Sequence, residues 1–156
     1  MKYTISYILT IILTACSSGN TSSSANEKTT EASEQISPLS TEKFEFINIK
    51  SEQVDGNINT MEIYSPIGQL DKDALKKLCA DRKDSFTSGT FFFVVIFDSK
   101  VNAAFPSDPF TAEYGVEESK MKHIKAIYTF NRKNGYSKLG TYKTNMYKSP
   151  VAETTI

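Results

Sequence analysis

Residues 91–97 read FFFVVIF, seven large apolar side chains in a row with no polar interruption. Side chains alternate between the two faces of a strand, so a strand of this composition is apolar on both. It therefore belongs in the interior of a sheet that carries covering layers above and below. The chain has the means to supply them, with 156 residues of which 39% are hydrophobic and 12% aromatic. That is enough for one domain of ordinary size.

The segments around this run supply the other elements. Lys43 to Lys50 (KFEFINIK) reads as a strand, Asp55-Gly56-Asn57 as a turn, and Asn59 to Tyr64 (NTMEIY) as a second strand closed by Ser65-Pro66. Asp71 is placed to cap a helix over DKDALKKLCADRK, with Asp73 in the first turn and Arg82 and Lys83 in the last. Ala74, Leu75, Leu78, Cys79 and Arg82 fall on one stripe of that helix, the face expected to cover the sheet. Residues 100–120 read as loop, with Pro106, Pro109 and a helical turn around Glu117. His123 to Asn145 reads as a hairpin about Asn134-Gly135, a type I′ signal. A two-residue turn there would set Phe130 opposite Leu139, Tyr128 opposite Thr141 and Ile127 opposite Tyr142. The order β-β-α-β-β-β predicts an α+β domain over 42–149, one helix packed on a mainly antiparallel sheet of about five strands, and a tail at 150–156.

The chain opens MKYTISYILTIILTACSSGN. Lys2 is followed by an apolar stretch from Ile5 to Leu13. At about 1.5 Å per residue, such a helix reaches only about half of a ~30 Å hydrocarbon core, which suits a signal peptide better than a membrane span. Leu13-Thr14-Ala15-Cys16 then resembles the lipobox of bacterial lipoprotein precursors, in which a leucine and two small residues precede an obligatory cysteine. The resemblance implies a signal peptide over 1–15, cleavage between Ala15 and Cys16, and acyl chains on the sulfur and new amino group of Cys16. Two or three acyl chains, at roughly 0.8 kcal/mol per buried methylene, form a lasting membrane anchor. The same resemblance, with Ser17 where an Asp would hold the protein at the inner membrane, implies the outer membrane of a cell envelope. Residues 16–41 are rich in Ser, Thr, Asn and Glu and read as a disordered tether, with a root-mean-square reach of ~25–30 Å.

Candidate chemistry is sparse. Once Cys16 is lipidated, Cys79 is the sole thiol and His123 the sole histidine, so neither an internal disulfide nor a Cys/His zinc site can be assembled. Cys79 lies on the apolar stripe of the helix, which favours burial over reactivity. There is no calcium-loop spacing, no phosphate-cradling Gly-rich loop and no nucleophile elbow, so neither cofactor nor metal is expected. Asp98, Asp108, Glu113, Glu117 and Glu118 could furnish a carboxylate pair for a small hydrolase or transferase, the alternative to a binding role. An inhibitor or immunity protein is a third reading.

The clearest functional pattern is a segregation of charge behind a net charge of zero. Residues 27–118 hold 17 acidic and 9 basic residues, a formal −8. From Ser119 to Ala152 there is no acid at all, while Lys120, Lys122, Lys125, Arg132, Lys133, Lys138, Lys143 and Lys148 supply eight positive charges. Such a hairpin could present a basic, tyrosine-bearing face of Lys125, Lys138, Lys143, Tyr128 and Tyr142 to an acidic protein or an envelope polymer. The competing reading makes these lysines the solvated side of an antiparallel sheet. Nucleic acid does not fit the envelope compartment. The sequence thus points to a membrane-tethered binding or interaction module.

Overall fold

In a computed structural model the residues described are 41–106, 118–144, 146 and 152–156. The apolar run of residues 91–97 forms β3 (Phe91–Phe97), third in a six-stranded sheet of order β1-β2-β3-β4-β5-β6. Residues 92–97 are all buried. The strand is sealed on both faces, as its composition requires.

The neighbours of β3 are β2 (Asn57–Pro66) and β4 (Ile124–Asn131); β1 (Phe44–Val54) lies outside β2, and β5 (Tyr136–Thr141) and β6 (Ala152–Thr155) lie beyond β4. All pairs are antiparallel except β2–β3. That exception is the work of α1 (Lys72–Ser85), which carries the chain from the end of β2 back to the start of β3. Fourteen helical residues span about 21 Å, close to the length of the strands they return along. Asp71 caps the helix by accepting from the backbone N–H groups of Asp73 and Ala74. Leu75, Leu78, Cys79 and Arg82 are its buried residues, the stripe the sequence marks out.

Two apolar clusters flank the sheet. Under α1, Phe44, Tyr64, Phe92, Val94, Ile96, Ala126, Tyr128 and Leu139 meet Leu75, Leu78, Cys79 and Phe86. On the opposite face, Met61, Ile63, Phe93, Val95, Phe97, Ile124 and Ile127 are met by Ala103, Phe105, Tyr142 and Met146. The segment after β3, through a 3-10 turn at Lys100–Asn102, contributes to this second cover. A short helix, α2 (Glu118–Met121), leads into β4.

The α+β architecture matches expectation, but three details differ. The sheet has six strands, because residues 152–155, expected in a tail, pair with β5 through Lys138↔Thr155 to Thr141↔Ala152. Their sequence, AETT, is wholly exposed and carries no apolar period to betray a strand. The β4–β5 hairpin closes between Asn131 and Tyr136 over a four-residue loop, so Tyr128 opposes Leu139 and Phe130 opposes Ser137. Gly135 takes φ 73° and its N–H bonds to the Asn131 carbonyl at 2.9 Å, so Asn134-Gly135 fills the second half of the loop. The register moves by two, which leaves each side chain on its expected face. The two-residue turn occurs instead at Asp55-Gly56, with φ 49° and 73°, the left-handed pair that a type I′ turn demands.

The sheet therefore has two distinct ends. The first holds the start of β1, the ends of β2 and β3, the start of β4 and the end of β5. The second holds the Asp55-Gly56 turn, Gly89 and the Arg132–Gly135 loop.

Candidate functional site

At the first end, a register shift between Ile96 and Phe97 leaves Lys125 without a partner on β3, while pairing resumes at Phe97 and Ile124. Asp98 follows β3 directly and its N–H bonds to the His123 carbonyl at 2.8 Å. Its carboxylate gathers the local polar groups. His123 Nδ1 lies 2.8 Å from Oδ2, Asn102 Nδ2 donates to Oδ1 at 2.9 Å, Ser99 Oγ donates to Oδ1 at 3.3 Å, and Lys125 Nζ lies 3.8 Å from Oδ2. A carboxylate only accepts, so Nδ1 carries a ring hydrogen and presents it to Oδ2 whether the ring is neutral or charged. The two N–H bonds of Asn102 reach Asp98 Oδ1 and Ser99 Oγ, which explains how its nitrogen also sits 2.9 Å from His123 Nδ1 without competing for that proton. Partial burial pushes the Asp98 carboxyl up. The hydrogen bonds from Asn102 and His123, with the charges of His123 and Lys125, outweigh it and hold the group below its ordinary value. The side chains of His123 and Asp98 are 24% and 32% exposed, so solvent reaches both.

Chemically, an imidazole oriented through Nδ1 by a carboxylate is the base-and-orienter half of an acyl-transfer triad. Ser99, the hydroxyl in the cluster, is bonded on the Asp98–Asn102 side rather than to the imidazole. A small apolar pocket nearby, lined by Met61, Val95, Phe97, Ala104, Pro106, Ile124 and Ile127, has about 10 Å³ of free space, room for no more than roughly one water. Its lining offers no polar group to hold that water. Among the described residues no group of three or more His, Cys, Asp and Glu side chains could hold a metal ion.

A second polar cluster lies beneath α1. Glu62 on β2 is fully buried beneath α1, and Arg82 from the helix meets it with two bonds, Nε to Oε2 at 2.8 Å and Nη2 to Oε1. Tyr64 Oη donates to Glu62 Oε2 at 2.8 Å. Burial raises the Tyr64 hydroxyl far above its usual range, and the neighbouring Glu62 charge raises it further. Desolvation pulls the Arg82 guanidinium down, but the hydrogen bond and charge of Glu62 carry it above its ordinary value. Cys79 belongs to the same interior, 0% exposed, and burial pushes its thiol up to about 12. The available signal was Arg82 itself, a charge on an apolar stripe that requires a buried acid opposite.

The predicted basic face is redistributed by the fold. Tyr128 is 0% exposed and points under α1, where its hydroxyl pairs with Ser137 at 2.8 Å, so it leaves the surface set. Tyr142 packs partly against the opposite cluster. The two tyrosines lie on opposite sides of the sheet, as strand alternation already separates them in the expected register. Lys138 is half-buried mid-sheet, opposite Thr129. Lys125 and Lys143 gather at the first end, where the Tyr142 N–H bonds to the Lys125 carbonyl at 2.8 Å. Arg132 and Lys133 are exposed at the second end, where Lys133 Nζ donates to Asn57 Oδ1 at 2.6 Å. Cys16 and Ala15 lie outside the described residues, as do Asp108, Glu113 and Glu117 and the side chain of Glu118.

No helix among the described residues is long and apolar enough to cross a membrane. Compared with known proteins, the chain matches no family model, no curated protein and no solved structure.

Proposed function

We propose that this chain is an envelope lipoprotein, anchored through acyl chains on Cys16, whose domain serves as a non-catalytic binding or interaction module. The observation that carries the reading is the order of Lys2, the apolar stretch Ile5–Leu13 and Leu13-Thr14-Ala15-Cys16. Ser17 directs the anchored protein to the outer membrane. The module itself is supported by where the reactive side chains lie. The Cys79 thiol is sealed and stays protonated, and the Asp98 carboxylate has its acceptor sites engaged by His123, Asn102 and Ser99. Within residues 119–144 the exposed charges are basic, on Lys122, Lys143, Arg132 and Lys133, and suit an acidic protein or an envelope polymer.

Mass spectrometry of the mature product tests the anchor: an N-terminus at Cys16 carrying acyl mass is expected. An N-terminus elsewhere, or a bare thiol at Cys16, removes the tether and the compartment together. One observation favours a second reading. The oriented imidazole of His123 suits a small hydrolase that uses it as general base. Under that reading, His123→Ala abolishes turnover of ester or glycoside probes. Absence of turnover in the unaltered chain removes it.

A further inference from the structure

The lysines beside the Asp98 cluster share their end of the sheet with the point where the chain enters the domain. Thr41 bridges Phe44 at the start of β1. The start of β1 pairs with the end of β2, whose parallel neighbour β3 ends beside Ile124 and Lys125. Lys120, Lys122, Lys125 and Lys143 are linked there by hydrogen bonds to backbone carbonyls. The His123 N–H meets the Lys120 carbonyl at 2.9 Å, Lys125 Nζ meets the Lys122 carbonyl at 3.0 Å, and the Lys125 carbonyl holds Tyr142, next to Lys143. Lys122 and Lys143 are exposed, and Lys120 and Lys125 are half-buried.

We propose that this end of the sheet is a contact surface for the anionic headgroups of a lipid bilayer, formed by Lys120, Lys122, Lys125 and Lys143. The inference rests on the tether reading above. Cys16 lies about 25 residues before Thr41, so an anchor at Cys16 holds the domain by this end. On the composition-based expectation of a leash with ~25–30 Å reach, the lysines are kept at high effective concentration over the leaflet. The acidic side chains described in this half of the end are Asp98, engaged with His123, Asn102 and Lys125, and Glu153, one rung into the sheet at Gly140. The other half, at β1 and α1, is mixed: Lys100 pairs with Glu45 at 2.6 Å, Lys76 lies 3.6 Å from Asp73, and Glu42 and Asp71 are exposed there as Lys43 and Lys72 are. The domain would therefore rest on its β4–β5 side. Lysine, a compact hydrated point charge on a flexible stem, suits loosely ordered phosphates better than it suits a fixed acidic pocket. Each lysine near an anionic leaflet raises partitioning roughly five-fold, so Lys120, Lys122 and Lys143 together give on the order of 100-fold.

Partitioning of the full chain onto vesicles tests this, comparing 30% phosphatidylglycerol in phosphatidylcholine with phosphatidylcholine alone. The apolar anchor favours both vesicles equally, so the ratio between them isolates the lysines. For the unaltered chain in ~0.1 M salt a ratio above about 10 is expected, falling steeply as salt shortens the Debye length. Lys120→Gln, Lys122→Gln and Lys143→Gln together should bring the ratio close to 1, and adding Lys125→Gln, whose charge faces Asp98, should leave it there, with the fold of each variant checked by circular dichroism. Arg132→Gln with Lys133→Gln, at the far end, should leave it unchanged. A ratio near 1 in the unaltered chain, an unchanged ratio in the triple variant, or an equal loss in the far-end variant would each overturn the proposal. Binding confined to an acidic protein would do the same. A chain with bare Cys16 that keeps its ratio overturns the tether and spares the headgroup contact. An acylated chain with a ratio of 1 does the reverse.

Discussion

Two carboxylates in this domain are held in the same manner and differ in what surrounds them. Glu62 accepts from Arg82 and Tyr64 in an interior closed to water, with Glu62 at 0% and Arg82 at 3% exposure. Asp98 accepts from Asn102, Ser99 and His123 at the end of the sheet, with about a third of its side chain open to solvent. The first is an internal fastener. Its attraction offsets the desolvation of both charges and fixes where α1 crosses β2, yet no substrate or partner can reach it. The second is weaker per bond because water screens it, but its histidine and its lysine neighbours remain available. Of the two clusters, the one at Asp98 is open to solvent.

The sharpest way to break this contrast is to remove one partner from each cluster. Arg82→Ala leaves a buried, unpaired carboxylate and should destabilise the domain by about 3–5 kcal/mol in urea unfolding. Replacing both partners, Glu62→Leu with Arg82→Met, should recover most of that loss, because it removes the buried charge along with its mate. A double variant as unstable as Arg82→Ala alone would mean that the pair contributes net stability beyond the penalty of burial. Tyr64→Phe, which deletes one donor and keeps the ring against Phe46, should cost about 1–2 kcal/mol by the same measurement. Cys79 offers a parallel check on sealing. Its thiol should react with a soluble disulfide reagent only as fast as the domain opens, and prompt reaction in native buffer would contradict the sealed interior.

Much of this contrast could be read from the sequence on the helix side and little of it on the sheet side. The Asp71 cap, the stripe of Leu75, Leu78 and Cys79, and the central place of residues 91–97 follow from local periodicity and capping chemistry. Glu62 did not. In NTMEIY the alternation puts Thr60, Glu62 and Tyr64 on one face, which reads as the solvated one, and only the crossing of α1 turns that polar face inward. The hairpin register was misread because Asn-Gly states where the left-handed position falls and not how many residues close the loop. Strand β6 carries no pattern of its own and is recruited by the free edge of β5. The cluster at Asp98 joins residues 98, 102 and 123, a constellation that no local window contains.

The open cluster makes its own demand on pH. Asp98 titrates below its ordinary value in the folded protein, so its stabilising bonds are fully present above the unfolded carboxylate pKa of about 3.9 and are lost as pH falls through the lower folded value. Asp98→Asn should therefore cost on the order of 1 kcal/mol at neutral pH, after allowance for solvent screening, and nothing extra in strong acid. The two stability curves should converge as pH drops below about 4. Parallel curves would show that the carboxylate charge does not hold the cluster.

The smallest effect should come from Lys100→Gln. The Lys100–Glu45 pair, at 2.6 Å, ties the turn after β3 to β1 across the same end of the sheet, but the two side chains are 64% and 44% exposed. Pairs in that setting contribute only about 0–0.5 kcal/mol, less than a third of what Tyr64→Phe removes if that loss lies near the top of its range. Urea midpoints within error of the unaltered chain, at both low and ~0.5 M salt, are the expected result. A loss above about 1 kcal/mol would mean that the turn at Lys100–Asn102 is held chiefly from β1 rather than by Asp98 through Asn102. The end of the sheet would then be fastened through an exposed pair, and exposure alone would no longer separate its structural contacts from those free to meet a partner.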